Sequence, residues 1–264
     1  MQLLRAMFTF AAGQYDDSNG RSFFPENPTK IISHARSWFH IKKRIRIIKQ
    51  HELARWYEAV QELQNSNKAA IVRDYLLLIL FTGLRKQEAA QLEWQNIDFN
   101  NRTLTVFETK NKLHHTLPLS DFVFALLQNR HNDADIAVNN EYVFPGNGIG
   151  GYLVEPRKQI ARVVKMSGIS FTLHDLRRTF ITTAESLDIS AYALKKLLNH
   201  KTNGDVTSGY IIMDTERLRK PMQMIADRLA TLINENAGNI TFTSSDFTKS
   251  TNQNKIIALT NCMP

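Results

Sequence analysis

A histidine and an arginine three residues apart stand at the predicted start of a helix, within the stretch Phe171–Phe180. Thr172 and, three residues later, Asp175 are residue types that favour a helix N-terminus. His174 and Arg177 then share one helix face. A titratable imidazole beside a permanent, planar cation can hold a phosphate and move a proton next to it. Taken alone, such a pair is more often a solvated helix face.

Four more side chains with useful chemistry remain once the predicted core is accounted for. Arg85 follows Thr82-Gly83-Leu84 at a helix junction, where it can project into a cleft. The others are Lys110 in a predicted hairpin turn, His200 after a helix, and Tyr210 ten residues later.

Each assignment has a rival. Lys110 is ordinarily a solubilising residue in such a turn, and Lys112 competes with it. Arg178 competes with Arg177, although the His-x-x-Arg spacing favours Arg177. The other late tyrosines, Tyr152 and Tyr192, precede the elements that a late nucleophile should follow.

The elements that must position these residues are mostly helices. Apolar residues at helical spacing predict the helices, and alternation predicts one hairpin with Lys110 near its tip. The predicted helices span residues 2–12, 53–64, 67–82, 86–94, 121–129, 156–167, 172–187, 189–199 and 214–234, and the hairpin strands span 97–107 and 113–119. The predicted fold class is therefore mainly α with a small antiparallel β-sheet (α+β).

Taken in order, the motifs resemble those of the tyrosine recombinases, the phage integrase family. The matching residues are Thr82-Gly83-Leu84-Arg85 with Glu88, His174-Asp-Leu-Arg177, Leu198-Asn199-His200 and the late Tyr210, over roughly residues 50–215. Each motif is weak alone, whereas their shared order and spacing are specific. The resemblance implies the catalytic domain fold of that family.

The chemistry of the arginines and the tyrosine can be argued from the residues. Cutting and rejoining a DNA phosphodiester requires a nucleophile that stores the bond as an ester, and Tyr210 suits this step. Arg85 and Arg177 can clamp the non-bridging oxygens, where the transition state accumulates negative charge. With so much cation in place, no metal and no cofactor are expected. His114 and His115 are a weak metal pair because no thiolate or carboxylate stands at ligand spacing.

The resemblance assigns the remaining roles. It implies that Lys110 is the general acid for the departing 5′ oxygen, that His174 orients or accepts the phenol proton, and that His200 donates a hydrogen bond to the phosphate. The family commonly has Gly where Asn199 stands, and Asn also tolerates the left-handed conformation that ends a helix. Glu88 is expected to brace Arg85, and Asp175 to pair with a neighbouring basic residue.

Three segments are predicted along the chain. Residues 1–49 resemble the last helix of a core-binding domain with its basic linker, which implies an incomplete DNA clamp. Residues 50–235 form the catalytic domain. Residues 236–264, rich in Asn, Thr and Ser, form a mobile tail or one that docks on another copy. The predicted DNA contacts are Lys42, Lys43, Arg44, Arg46, Lys112 and Arg178.

Composition limits the partners and the compartment. Lys plus Arg number 33 against 25 for Asp plus Glu, a net charge of +8 that suggests nucleic acid as the partner. The single cysteine, Cys262, excludes a disulfide framework within the chain. The N-terminal stretch is a poor signal peptide, and the longest apolar run, Tyr75–Phe81, is far too short for a membrane span. A cytoplasmic, nucleoid-associated protein is expected.

The sequence therefore predicts a site-specific DNA recombinase of the prophage integrase type that uses a 3′-phosphotyrosyl intermediate. Its expected partner is a double-stranded DNA attachment site, bound as a dimer or tetramer because exchange of two duplexes needs four cleavages. Accessory DNA-bending proteins are a further expected partner, and no membrane is. Two alternatives stay open, namely a DNA-binding module that no longer cuts because its clamp is incomplete, and a type IB-like topoisomerase.

Overall fold

The computed structural model describes residues 2–24, 27–34, 45–64, 66–107, 114–132, 140–200 and 214–235. The chain divides into two compact units, one up to Ile45 and the other from Arg46. The helices are α1 Gln2–Gln14, α2 Thr29–His34, α3 Leu53–Gln61, α4 Asn67–Thr82, α5 Lys86–Ala90, α6 Asp121–Asn132, α7 Arg157–Ser167, α8 Leu173–Glu185, α9 Ala191–Leu197 and α10 Thr215–Glu235. The strands are β1 Ile97–Asp98, β2 Thr103–Val106 and β3 His115–Pro118.

The first unit contains α1 and α2. The Asn27 side chain ties the loop before α2 to α1, donating to Arg5 O (3.0 Å) and to Thr9 Oγ1 (3.1 Å). Apolar side chains of α1 remain exposed, with Leu3 at 73% and Phe10 at 64% exposure. A single amphipathic helix cannot bury its own apolar stripe, as the sequence pattern indicated.

Helix α4 is the centre of the second unit. Every residue from Tyr75 to Phe81 is fully buried, so the helix is surrounded by protein on all sides. Helices α3, α5, α6, α8 and α10 pack against it. A helical stretch that is apolar on every side is typical of such a central position. Among the described residues, no helix is long and apolar enough to cross a membrane.

The small sheet is antiparallel, with strand order β1-β2-β3. Leu104 of β2 lies opposite Ile97 on one side and Leu117 on the other. The prediction of a mainly α fold with a small antiparallel sheet is confirmed.

Some predicted boundaries were wrong. The strand predicted over 97–107 is interrupted because the Asp98 carboxylate accepts hydrogen bonds from Asn101 N (2.9 Å) and Nδ2 (2.6 Å), which closes a turn between β1 and β2. The helix predicted over 86–94 ends at Ala90, and Trp94 begins a separate 3₁₀ turn, Trp94–Asn96.

Candidate active site

Gly83 ends α4 and sets the direction of the segment that carries Arg85. It adopts the left-handed conformation (φ +67°), and its amide donates to Ile79 O at 2.9 Å. A Cβ at this position would lie 2.5 Å from Cδ1 of Phe180, so glycine is also required for close packing of α4 against α8. The Thr-Gly-Leu-Arg motif thereby places Arg85 at the first turn of α5.

Glu88 holds Arg85 in place, as the sequence predicted. Its carboxylate accepts hydrogen bonds from Arg85 N (2.9 Å) and from Arg85 Nη1 (2.6 Å). Glu88 is only 5% exposed. Because one buried carboxylate binds both the backbone amide and the guanidinium of Arg85, it limits the orientations open to that guanidinium. The other terminal nitrogen, Arg85 Nη2, lies 3.5 Å from Asn199 O.

Asp175 fixes the start of α8. Its carboxylate accepts from Thr172 N (2.9 Å) and Thr172 Oγ1 (2.8 Å), which closes the first turn. It also forms ion pairs with Arg46 (3.1 Å) and Arg178 (3.4 Å), so the predicted pairing with basic neighbours is confirmed. Arg46 and Arg178 were predicted to contact DNA, and that role stays a prediction.

Arg177 is nearly buried, at 5% exposure. Its Nη1 donates to Gly83 O, and its Nη2 donates to Leu198 O (2.8 Å) and lies 3.4 Å from His200 Nε2. Burial, helped by the positive charge of Arg85, lowers the pKa of Arg177 to about 10. The guanidinium stays charged at neutral pH and joins the turn before Arg85 to the turn before His200.

His174 and Arg177 both line an open cleft of about 1360 Å³, together with Arg85 and Glu88. The predicted shared face is therefore confirmed for these two residues. Partial burial, followed by the charges of Arg178 and Arg177, lowers the pKa of His174. The His174 ring is then neutral at physiological pH and able to accept a proton.

His200 follows a left-handed turn at the end of α9. Asn199 has φ +49°, which confirms the expectation that asparagine adopts the left-handed conformation at this helix end. Burial and the charges of Arg177 and Arg85 lower the pKa of His200. The structure thus brings Arg85, His174, Arg177 and His200 together, although α4 and α9 are far apart in sequence.

Several predicted residues lie outside the described part of the chain. These are Lys42, Lys43, Arg44, Lys110, Lys112 and Tyr210. Their assigned roles stay predictions. Within the described residues, no group of three His, Cys, Asp or Glu side chains could hold a metal ion.

The structure also shows residues that the sequence reasoning passed over. Phe107, Gln91 and Arg157 line the same cleft as His174. His115, considered only as a weak metal ligand, is 5% exposed and bonds through Nε2 to Leu197 O at 3.1 Å. The alternation of β3, which puts His115 and Leu117 on one face, was the signal that could have placed it inside.

Comparison with known proteins agrees with this geometry. Residues 46–217 match the sequence profile of the phage integrase family. The prophage integrase IntF of Escherichia coli (strain K12) is 29% identical over 175 residues, which cover 66% of this chain and 36% of the relative. The integrase of Shigella phage Sf6 is 25% identical over 213 residues, covering 77% of this chain and 52% of the relative. The chain thus spans about half or less of the length of these relatives.

Solved structures share the fold. The XerH site-specific recombinase, determined bound to its difH substrate before cleavage, superposes with a TM-score of 0.54 at 23% identity, covering 74% of this chain and 56% of that one. The integrase from mycobacterium phage Brujita gives a TM-score of 0.51 at 22% identity, covering 88% and 75%. Because the family profile spans most of the chain, from the Arg46 contact to the start of α10, this protein belongs to the phage integrase family.

Proposed function

We propose that this chain carries the catalytic domain of a site-specific DNA recombinase of the prophage integrase type. The observation that carries the proposal is the meeting of Arg85, His174 and Arg177 on one cleft, with His200 beside Arg177. Two arginines, each held by a buried partner, offer planar donors to one phosphate. His174 and His200, both with lowered pKa values, could exchange protons beside that phosphate.

In the proposed reaction, the Tyr210 phenol oxygen attacks a DNA phosphorus. The bond from phosphorus to the 5′ oxygen breaks, and a 3′-phosphotyrosyl ester stores its energy. His174, neutral at physiological pH, orients or accepts the phenol proton, and Lys110 gives a proton to the departing 5′ oxygen. Rejoining is the reverse, with a 5′ hydroxyl attacking the ester.

The phosphate clamp is proposed to supply most of the rate enhancement. Arg85 and Arg177 face the negative charge that accumulates on the non-bridging oxygens, and His200 donates a further hydrogen bond. Each arginine is fixed before substrate arrives, Arg85 by Glu88 and Arg177 by two backbone carbonyls. Donors that need no reorganisation stabilise a transition state most effectively.

The proposed substrate is double-stranded DNA carrying an attachment site, in the cytoplasm and close to the nucleoid. The net charge of +8 favours phosphate contacts, which weaken steeply with salt. Dimers and tetramers assembled on DNA, with accessory DNA-bending proteins, are proposed because strand exchange between two duplexes requires four coordinated cleavages.

Covalent trapping tests the proposal. Protein and a nicked duplex carrying the attachment site are mixed at low salt with a metal chelator, denatured, and examined for a protein–DNA adduct. Tyr210→Phe is expected to abolish the adduct and keep DNA binding, whereas Tyr192→Phe, a matched change on α9, is expected to keep both.

The other outcomes discriminate between functions. An adduct that persists in Tyr210→Phe would assign the nucleophile elsewhere. Binding to the attachment site without any adduct would favour a module that no longer cuts. Relaxation of supercoiled plasmid lacking the site, without recombination, would favour a type IB-like topoisomerase.

A further inference from the structure

Backbone hydrogen bonds close the turn between α9 and His200. His200 N donates to Lys195 O (3.0 Å) and Asn199 N donates to Lys196 O (3.1 Å), which completes the left-handed helix end. The carbonyls of residues 197–199 follow. Since carbonyls at the end of a helix have no intrahelical partner, each requires a donor from elsewhere.

In the described part of the chain, a side-chain nitrogen lies within 3.5 Å of each of these carbonyls. Leu198 O accepts from Arg177 Nη2 (2.8 Å), and Asn199 O lies 3.5 Å from Arg85 Nη2. Leu197 O lies 3.1 Å from His115 Nε2. Two of these donors belong to the proposed phosphate clamp. The third, His115, has had no role in the mechanism.

His115 is placed to act as a fixed donor. It begins β3, lies opposite Val106 of β2, and is 5% exposed. Its partner is a carbonyl, which can only accept, so Nε2 must carry a hydrogen. Burial lowers the pKa of His115 to about 4 against the opposing charge of Glu88, so the ring is neutral at physiological pH.

We propose that His115 is a positioning residue of the active site. By holding Leu197 O, it ties the turn that carries His200 to strand β3. The hydrogen bond thus acts on the proposed catalytic set through the backbone next to His200 rather than through contact with DNA. The catalytic part of this inference rests on the proposed function, whereas the placement of the His200 turn does not.

Three variants distinguish loss of the His115 hydrogen bond from loss of its packing. His115→Leu replaces the ring with an apolar side chain of moderate size and so removes the donor. His115→Gln replaces the ring with an amide that can still donate to Leu197 O. His114→Gln is the matched control, because His114 is the exposed neighbour whose ring contacts Phe107 rather than the turn.

The first readout is the pKa of His200, measured by NMR on imidazole-labelled protein without DNA. In the native chain this pKa is lowered by burial and by the charges of Arg177 and Arg85. If the turn loosens in His115→Leu, His200 becomes more hydrated and more distant from these cations, and its pKa rises. His115→Gln and His114→Gln should leave the pKa of His200 at its native value.

The second readout is the rate of covalent adduct formation on a nicked attachment site. His115→Leu is expected to be about 10- to 100-fold slower, since a buried carbonyl has lost its donor. Its DNA affinity should stay within about twofold, because His115 is buried and is not among the residues that line the cleft. His115→Gln should recover most of the rate.

These outcomes test the positioning role of His115 separately from the proposed function. An unchanged His200 pKa and native adduct rate in His115→Leu would overturn the inference, and so would equal damage in the Leu and Gln variants. If His115→Leu does not fold, the Gln variant decides, because a damaged His200 environment there contradicts the donor role and a native one supports it. If the native chain forms no adduct at all, recombination fails as a function, while the NMR readout still tests the positioning.

Discussion

Arg177→Lys is the most informative single change, because it keeps the positive charge and removes the pair of guanidinium nitrogens that bind two different carbonyls. Arg177 uses Nη1 for Gly83 O and Nη2 for Leu198 O, two carbonyls on turns that are far apart in sequence. Lysine has a single nitrogen on a flexible chain. It can approach one carbonyl with good geometry and must leave the other with a poor donor or none.

The expected loss of stability follows from that unpaired carbonyl. Arg177 is 5% exposed, so water cannot easily replace the missing donor. A buried acceptor left without a partner destabilises the fold by about 1–3 kcal/mol. For a domain of this size that corresponds to a fall in the unfolding midpoint of roughly 4–8 °C at 2 kcal/mol. The clamp should fail as well, with adduct formation slowed by about two to three orders of magnitude, or 3–4 kcal/mol.

Thermal unfolding followed by circular dichroism measures the first effect, and adduct formation well below the midpoint measures the second. Arg178→Lys is the matched control, since Arg178 is adjacent, 30% exposed in its side chain, and pairs with Asp175 at 3.4 Å. Its effect on stability should stay below about 1 kcal/mol. If Arg177→Lys has the same unfolding midpoint as the unmodified protein, the two carbonyl contacts do not stabilise the fold, and the reasoning fails.

Three further changes test other parts of the site. Asn199→Val should destabilise the chain by about 1–2 kcal/mol relative to Asn199→Gly in denaturant unfolding, because the backbone there is left-handed. Glu88→Gln should lower the free energy of unfolding by about 1–3 kcal/mol in the same assay, since the amide has one accepting oxygen for the backbone N and the Nη1 of Arg85. Below pH 6.5 the unfolded state binds a proton that buried His115, with its pKa of about 4, does not. Stability should therefore fall by about 3 kcal/mol as the pH drops from 6.5 to 4, a loss that His115→Gln should remove.

Features set by neighbouring residues were predictable from the sequence. The left-handed ends at Gly83 and Asn199 and the capped start of α8 all depend on local backbone preferences. The brace between Arg85 and Glu88 spans a single helical turn, so spacing alone could propose it. Such rules are local, and they held where tertiary packing did not compete.

Features that depend on packing between distant segments were not predictable. The sequence presented Arg177 as a phosphate clamp, yet most of its side chain is buried on the carbonyls of two remote turns. Arg46, predicted as a DNA contact, bonds to Asp175 and to Ser170 Oγ (3.1 Å), more than a hundred residues away. His115 appeared as a weak metal ligand because nothing local indicated Leu197 O. A side chain's partner inside a core depends on which elements meet there, and periodicity does not specify that.

The two arginines of the proposed clamp are held by chemically different partners. Glu88 neutralises part of the field of Arg85, whereas among the described residues no carboxylate forms an ion pair with Arg177. Carbonyl dipoles orient a guanidinium without cancelling its charge. Arg177 therefore has no ion-pair partner in the described part of the chain, although the charge of Glu88 acts on it from a distance and burial lowers its pKa. Under the proposed function, a phosphate gaining charge in the transition state would thus meet one arginine held by an ion pair and another held by carbonyl dipoles, which leave more of its charge available to the phosphate.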